Sequence, residues 1–243
     1  MLRCRLFRPV TQEEVARARN GDFEIILTPT KPVPQSWLSD VKNKKLLCLF
    51  SGGGRLAPLF AAAGADVTVL DSSPKQIEKG LLIANREKLR IRTLLGDVRD
   101  LQGFGDDEFD LVVNPVSNCF LPEIRSVWSE CFRILRPGGV LISGFNNPIA
   151  YVFDRDLLKA GKLQLKYSVP FSELTSFSGE EKKKFLAPDK PVEFGHSLTD
   201  QVGGQLDAGF LIAGFYEDIW GDGNILDRHF PQFLVTRSIK LAH

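Results

Sequence analysis

The 243-residue chain carries almost no net charge: 31 Lys and Arg stand against 30 Asp and Glu, leaving +1. That balance argues against an electrostatic nucleic-acid binder, which shows a strong basic excess, and against an acidic disordered tail. No apolar run approaches the roughly 20 residues that a bilayer span requires. The basic N-terminal stretch Met1-Leu2-Arg3-Cys4-Arg5-Leu6-Phe7-Arg8-Pro9 is interrupted by Arg and Pro before an apolar segment develops, so no signal peptide is expected. Cysteine is sparse. Cys4, Cys48, Cys119 and Cys131 are scattered without a C-x-x-C pair, which fits neither a zinc site nor a disulfide framework. A reduced, cytoplasmic protein is the expectation. There is no internal repeat and no low-complexity tract. With 43% hydrophobic and 25% charged residues, the remainder is an ordinary globular composition.

The N-terminal forty-odd residues are mixed. Thr11-Gln12-Glu13-Glu14 is a capping-box pattern that opens a short helix through Arg19, stopped by Gly21. Thr28-Pro29-Thr30-Lys31-Pro32-Val33-Pro34 is expected to hold the chain extended, since proline biases its predecessor away from helix. A helix is expected from Pro34 or Gln35 to near Asn43. Beyond that, strands and helices alternate. Strands are read at 46–50, 66–70, 91–95, 109–113 and 140–145. Helices are read at 56–63, 74–89 and 122–135, the last broken by Arg136-Pro137-Gly138-Gly139.

That rhythm implies βαβ units and a doubly wound, mostly parallel sheet with both faces covered. Residues 146–196 interrupt it as an inserted cap, with an alternating strand candidate at Leu163, Leu165, Tyr167 and Val169 and a charged helix around 180–185. A helix at 198–208 and strands at 210–217 and 232–239 complete the core. The link between the last two strands is too short for a crossover helix, so they are read as antiparallel. The expected organisation is an N-terminal segment 1–44, a cofactor-binding core 45–145, a substrate cap 146–196 and completion of the core by 197–243, all one Rossmann-like α/β domain.

The strongest chemical signal is strand, glycine loop, helix, strand, acid. Ser51-Gly52-Gly53-Gly54 lets a ligand approach the backbone, and the helix that follows presents free N–H groups. Asp71 ends the second strand 19 residues after Gly52, near the offset at which a carboxylate accepts from a ribose. An adenosine-containing cofactor follows. A dinucleotide fits less well, because Gly52-Gly53-Gly54 continues as Arg55-Leu56-Ala57 rather than as G-x-G-x-x-G.

Five stretches carry a family resemblance: Val67-Thr68-Val69-Leu70-Asp71-Ser72-Ser73-Pro74-Lys75-Gln76, Leu95-Gly96-Asp97-Val98, Phe109-Asp110-Leu111-Val112-Val113, Leu135-Arg136-Pro137-Gly138-Gly139-Val140-Leu141 and Leu206-Asp207-Ala208-Gly209-Phe210. Together they resemble a class I S-adenosylmethionine-dependent methyltransferase of the small-molecule, type 11 group. The resemblance implies S-adenosylmethionine as cofactor and S-adenosylhomocysteine as product. It implies that Asp71 and Ser72 hold the ribose and that Gln76 packs beside adenine. Gly96, Asp97 and Val98 would frame the adenine, with Asp97 accepting from its amino group, and Ser51 to Gly54, Asn114 and Pro115 would hold the rest. Two positions depart from the pattern: Cys48 stands where the family has an acid, and Phe50 where it has an additional glycine.

On the acceptor side, the loop Asn114-Pro115-Val116-Ser117-Asn118-Cys119-Phe120 would lie beside the transferable methyl. Asn114-Pro115 begins like the N-P-P-aromatic motif of amino-group methyltransferases, but Val116 and Ser117 break it. The loop has no carboxylate for Mg²⁺, and no metal site is expected. His196 is read either as a base or substrate contact or as a hydrogen-bonded structural histidine. Asn118, Tyr151 and Tyr167 are candidate substrate contacts. Tyr151, Phe153, Tyr167, Phe171 and Phe177 would either line a pocket or form the core of the cap. The expected partner is a small molecule, with no nucleic acid and no membrane, and the chain is expected to be a monomer or homodimer. A nicotinamide-dependent oxidoreductase and an inactive cofactor-binding module are the competing readings.

Overall fold

Along β1 (Lys45–Leu49) every residue after Lys45 is buried, and successive side chains enter opposite layers. Leu46 and Cys48 join one apolar cluster, Leu47 and Leu49 the other. This is why the strand reads as a continuous apolar run: a strand covered on both faces has no solvent side to make polar. The computed structural model describes residues 8–38, 40–50, 54–186, 190–221 and 223–242. The strands that follow are β2 (Asp66–Asp71), β3 (Ile91–Leu95), β4 (Phe109–Asn114), β5 (Leu135–Asn146), β6 (Phe171–Ser172), β7 (Phe194–Gly195), β8 (Leu211–Asp218) and β9 (Phe233–Ile239). Six of them join β1 in one seven-stranded sheet in the order β3-β2-β1-β4-β5-β9-β8. β1 to β5 are parallel, and β9 runs antiparallel to both of its neighbours. The doubly wound α/β fold read from the sequence is the fold observed.

One face is covered by α1 (Gln12–Arg19), α2 (Gln35–Leu38), α3 (Leu56–Ala62) and α4 (Pro74–Glu87), and the other by α5 (Arg125–Ile134), whose Trp128 is fully buried. The capping box of α1 forms as expected: Thr11 N–H donates to Glu14 Oε2 at 2.8 Å, and Glu14 N–H to Thr11 Oγ1 at 3.2 Å. Glu14 also receives the guanidinium of Arg55 at 2.8 Å, and Arg55 is only 2% exposed. Arg55 directly precedes α3, so this pair fastens α1 to the start of the helix that follows the glycine loop.

Several boundaries differ from the sequence reading. α2 stops at Leu38, well short of Asn43, because the Asp40 carboxylate takes the Lys42 N–H and Asn43 turns with φ +61°. Thr28–Pro34 is not an extended strap. It closes a tight hairpin in which Val33 N–H donates to Ile25 O at 2.8 Å. The buried Asp218 carboxylate enforces that turn by accepting from the N–H groups of Thr30 and Lys31 at 2.8 and 2.9 Å. α5 begins at Arg125 rather than Pro122, since the Glu123 carboxylate caps it by accepting from Ser126 N–H and Oγ. β5 begins immediately after α5, at Leu135. Its Arg-Pro-Gly-Gly bulges out of the β4 pairing, which passes from Leu135 to Val140, while Gly138, at φ +79°, donates to Lys240 O at 2.7 Å.

Between β5 and β8 lie α6 (Arg155–Lys159), α7 (Glu173–Ser176), α8 (Gly179–Phe185) and α9 (Gly204–Asp207). The strand expected at 163–169 does not form. Lys166 and Tyr167 both donate to Val152 O, a single bridge joins Phe153 to Leu165, and Leu165 stays 70% exposed, so the alternation has neither a partner strand nor a buried face. The helix expected at 198–208 is broken in register: Thr199–Gly203 is one π turn, and α9 follows it. Gly204 lies against Trp128, where a Cβ would meet the indole Cδ1 at 2.7 Å. Overpacking of that kind costs about 2 kcal/mol. Gly204→Ala is therefore expected to lower the thermal midpoint by about 4–8 °C, and an unchanged melt would show that α9 is free to shift.

Candidate functional site

Because β1 to β5 are parallel, their C-terminal ends share one edge of the sheet, and ligands of open α/β sheets bind there, at the point where strand order reverses. That point lies between β1 and β4. The order β3-β2-β1-β4 brings Gly96 to Val98, then Asp71, then the loop after β1, then Asn114 into a row along this edge. Ser51, Gly52 and Gly53 lie outside the described residues. On either side of them, Phe50 holds φ +63° and Gly54 φ +80°. Phe50 is the unusual one, because L side chains rarely adopt that conformation. Its N–H donates to Leu70 O at 2.8 Å, and its ring is buried. Cys48, in place of an acid, points into the apolar layer, and burial pushes its thiol well above the usual range.

Asp71 is buried at the tip of β2, and its Oδ1 accepts from Ser73 N–H at 2.8 Å. Ser72 is exposed beside it. Gln76 sits in the first turn of α4, its Oε1 buried without a hydrogen-bond partner. Gly96 N–H donates to Asp71 O at 3.1 Å, which ties the third strand's loop to the second's, and Val98 is buried. Asp97 is half-exposed and clasped by Arg99: Nε lies 3.0 Å from both carboxylate oxygens and Nη2 2.5 Å from Oδ2. That clasp holds the carboxyl below its ordinary range. Arg99 was not singled out in the sequence, although the D-x-R spacing is the one visible trace of the pair.

The acceptor-side loop is better ordered by polar contacts than its sequence indicates. Asn114 is fully buried at the tip of β4, followed by buried Pro115. Asn114 Nδ2 donates to Asn118 Oδ1 at 2.8 Å and to Ser143 Oγ at 3.0 Å. Asn114 Oδ1 is buried with no partner. Asn118 Nδ2 donates to Gln201 Oε1 at 3.0 Å. His196 Nε2 lies 3.1 Å from Asn118 O and 2.9 Å from Leu121 O, so that ring nitrogen carries the proton and donates to both carbonyls. The imidazole thereby holds the 118–121 turn. Ser143, Gln201 and Gln205 carried no motif and were missed.

Tyr151 stacks on Phe171 with centroids 5.4 Å apart, and its hydroxyl accepts from Asn146 Nδ2 at 2.6 Å. Tyr167 packs edge-on against Phe171 and Phe177, and its hydroxyl donates to Glu181 at 2.5 Å. Arg155 lies 4.8 Å over the Phe177 ring and pairs with buried Glu173 at 2.6 Å. These aromatic residues pack on one another as a core of the inserted segment. Phe153 pairs instead with Phe230. Among the described residues, no group of three or more His, Cys, Asp or Glu is placed to hold a metal ion, and no helix is long and apolar enough to cross a membrane.

Comparison with known proteins bears on the family and the fold. The methyltransferase-domain family pattern matches residues 47–143. YbaJ of Bacillus subtilis, described as an uncharacterized methyltransferase, is 44% identical over 232 residues, covering 96% of this chain and 90% of its own. A ubiquinone biosynthesis O-methyltransferase of Psychrobacter arcticus is 32% identical over 115 residues, which is 46% of this chain and 45% of that protein. The crystal structure of an S-adenosylmethionine-dependent methyltransferase from Mesorhizobium loti superposes with a TM-score of 0.65 at 18% identity, covering 84% of this chain and 94% of that one, and so shares the fold. The chain belongs to the class I S-adenosylmethionine-dependent methyltransferases. Its cofactor is S-adenosylmethionine. The residues present fit that group: Gln76 Oε1 and Asn114 Oδ1 are buried acceptors without partners at the two flanks of the row, and such atoms ordinarily find a ligand or an ordered water.

Proposed function

We propose that the protein methylates a small organic acceptor held between the 114–121 loop and the inserted segment 146–196. The near-zero net charge supports a small acceptor, because a nucleic acid substrate calls for a basic surface. The observation that carries the reading is the row of strand-end residues and its order. An adenosyl sulfonium is a linear molecule of base, sugar, sulfur and amino acid, and the row runs Val98 and Asp97, Asp71, the glycine loop, Asn114.

On this reading Asp71 and Ser72 hold the sugar hydroxyls, and Gln76, Gly96 and Val98 frame the base. Asp97 reaches the adenine amino group only by sharing its carboxylate with Arg99. Gly54, at the end of the glycine loop, lies near the centre, and Asn114 and Pro115 wall the reacting end. The bound cofactor supplies an electrophilic methyl, so the chain's task is alignment and exclusion of water. His196 acts here as a positioning residue for the 118–121 turn. Asn118 and Tyr151 face the acceptor side, and Tyr167 supports the segment that encloses it.

The test is transfer from methyl-labelled S-adenosylmethionine to a cell extract separated into small-molecule, protein and RNA fractions. Label is expected in the small-molecule fraction. Label confined to protein or RNA would overturn the acceptor class.

A further inference from the structure

The side-chain amides behind Asn114 are hydrogen-bonded in one order, which leaves one end of the Asn114 amide over. A second set of contacts starts on β9 and reaches the Gln201 main chain. Thr236 Oγ1 and Ser238 Oγ, both fully buried, donate to Gln205 Oε1 at 3.0 and 2.6 Å. Gln205 Nε2 donates to Gln201 O at 2.8 Å. Gln201 Oε1 takes the Asn118 amide N–H, Asn118 Oδ1 takes the Asn114 amide N–H, and Ser143 Oγ takes the other. Both Asn114 N–H groups are consumed, so the atom that remains is its carbonyl oxygen, buried and unpartnered.

Gln201 sits inside a π turn. Gly204 N–H donates to Thr199 O, five residues back. One added residue rotates all later side chains by about 100° relative to an α-helix, and such turns recur at functional sites. The turn is also held from outside. Trp128 Nε1 donates to Asp200 O at 2.9 Å, and Arg125 Nη2 to Thr199 O at 3.3 Å. It is a built element, anchored by α5 on one side and β9 on the other.

We propose that Gln201 is a positioning residue for methyl transfer: through Asn118 it locks the Asn114 amide with its oxygen toward the reacting centre, so that this end of the site accepts hydrogen bonds. The proposal rests on the placement of Asn114 beside the transferable methyl.

The experiment compares two probes on the full-length chain by calorimetry. S-adenosylhomocysteine has a bare thioether at the reacting end, whereas sinefungin carries an amine where the methyl would be. The wild type is expected to bind sinefungin more tightly. Q201M, which lacks the acceptor, and Q201N, whose amide is one methylene short of Asn118, are expected to lose about tenfold in sinefungin affinity, the worth of one hydrogen bond to a charged group. Their S-adenosylhomocysteine affinity should stay within threefold. V127A, a core variant in α5, should weaken the fold yet keep the wild-type ratio. Should Q201M fail to fold, Q201N gives the same reading with an amide retained. An unchanged ratio in the folded Gln201 variants overturns the proposal, as does an equal loss in V127A. A wild type that binds neither probe overturns instead the placement of the cofactor.

Discussion

Asp71→Ala is expected to lower affinity for S-adenosylhomocysteine by more than a hundredfold while leaving the fold intact. The proposed role gives the carboxylate two charge-assisted hydrogen bonds to the sugar, each worth about 1.5–3 kcal/mol, of which alanine keeps neither. The Asp71 side chain accepts a hydrogen bond from Ser73 N–H, but the strand itself is held by backbone pairing from Val67 to Asp71. Asp71→Asn keeps the shape and loses the charge, so its affinity should fall between the two. Titration calorimetry at low salt reads the series directly. Equal affinity in wild type and Asp71→Ala would remove this carboxylate from the cofactor site.

The second large effect concerns Glu14. Burial works to raise its pKa, but the hydrogen bonds from Arg55 and Thr11 and the charges of Arg55 and Arg8 outweigh it, and the value falls from 4.5 to about 2. A carboxyl whose folded value is depressed stabilises the protein above its unfolded value and loses that contribution as pH falls. Here about 3 kcal/mol is present above pH 4.5 and fades as pH falls toward about 2. Glu14→Gln leaves the Arg55 guanidinium, 2% exposed, without its counter-ion. Stranding a buried charge in this way costs about 3–5 kcal/mol. Urea melts should show that loss near neutral pH, with a flatter acid limb in the variant. Since Arg55 follows Gly54, the same variant should weaken S-adenosylhomocysteine several-fold. A variant with wild-type stability at neutral pH would mean that the pair is not formed.

What the sequence made legible is the part encoded by short-range pattern. Leu46–Leu49 reads as a doubly covered strand because burial on both faces removes alternation. Asp71 and the Arg136-Pro137-Gly138-Gly139 break are legible because their chemistry and spacing are local. What escaped depends on residues far apart in the chain. The hairpin at Thr28–Pro34 is imposed by Asp218, nearly two hundred residues on, and prolines alone read as an extended strap. The alternation at Leu163 to Val169 looks like a strand until the absence of a partner is seen. Gln201 and Gln205 are invisible for a different reason. Glutamine carries no distinctive chemistry, and the π turn that holds Gln201 is contacted by Trp128, far off in the chain. The row along the sheet edge was partly legible: Asp71, Asp97 and Asn114 were identified individually, but strand order is what puts them in line.

The most direct test of the whole account is a crystal structure with S-adenosylhomocysteine. The account places the ribose on Asp71, the adenine between Gln76 and Val98, and the homocysteine sulfur beside Asn114. Density for the compound away from the β1–β4 edge, or a ribose facing solvent with Asp71 turned aside, would contradict it.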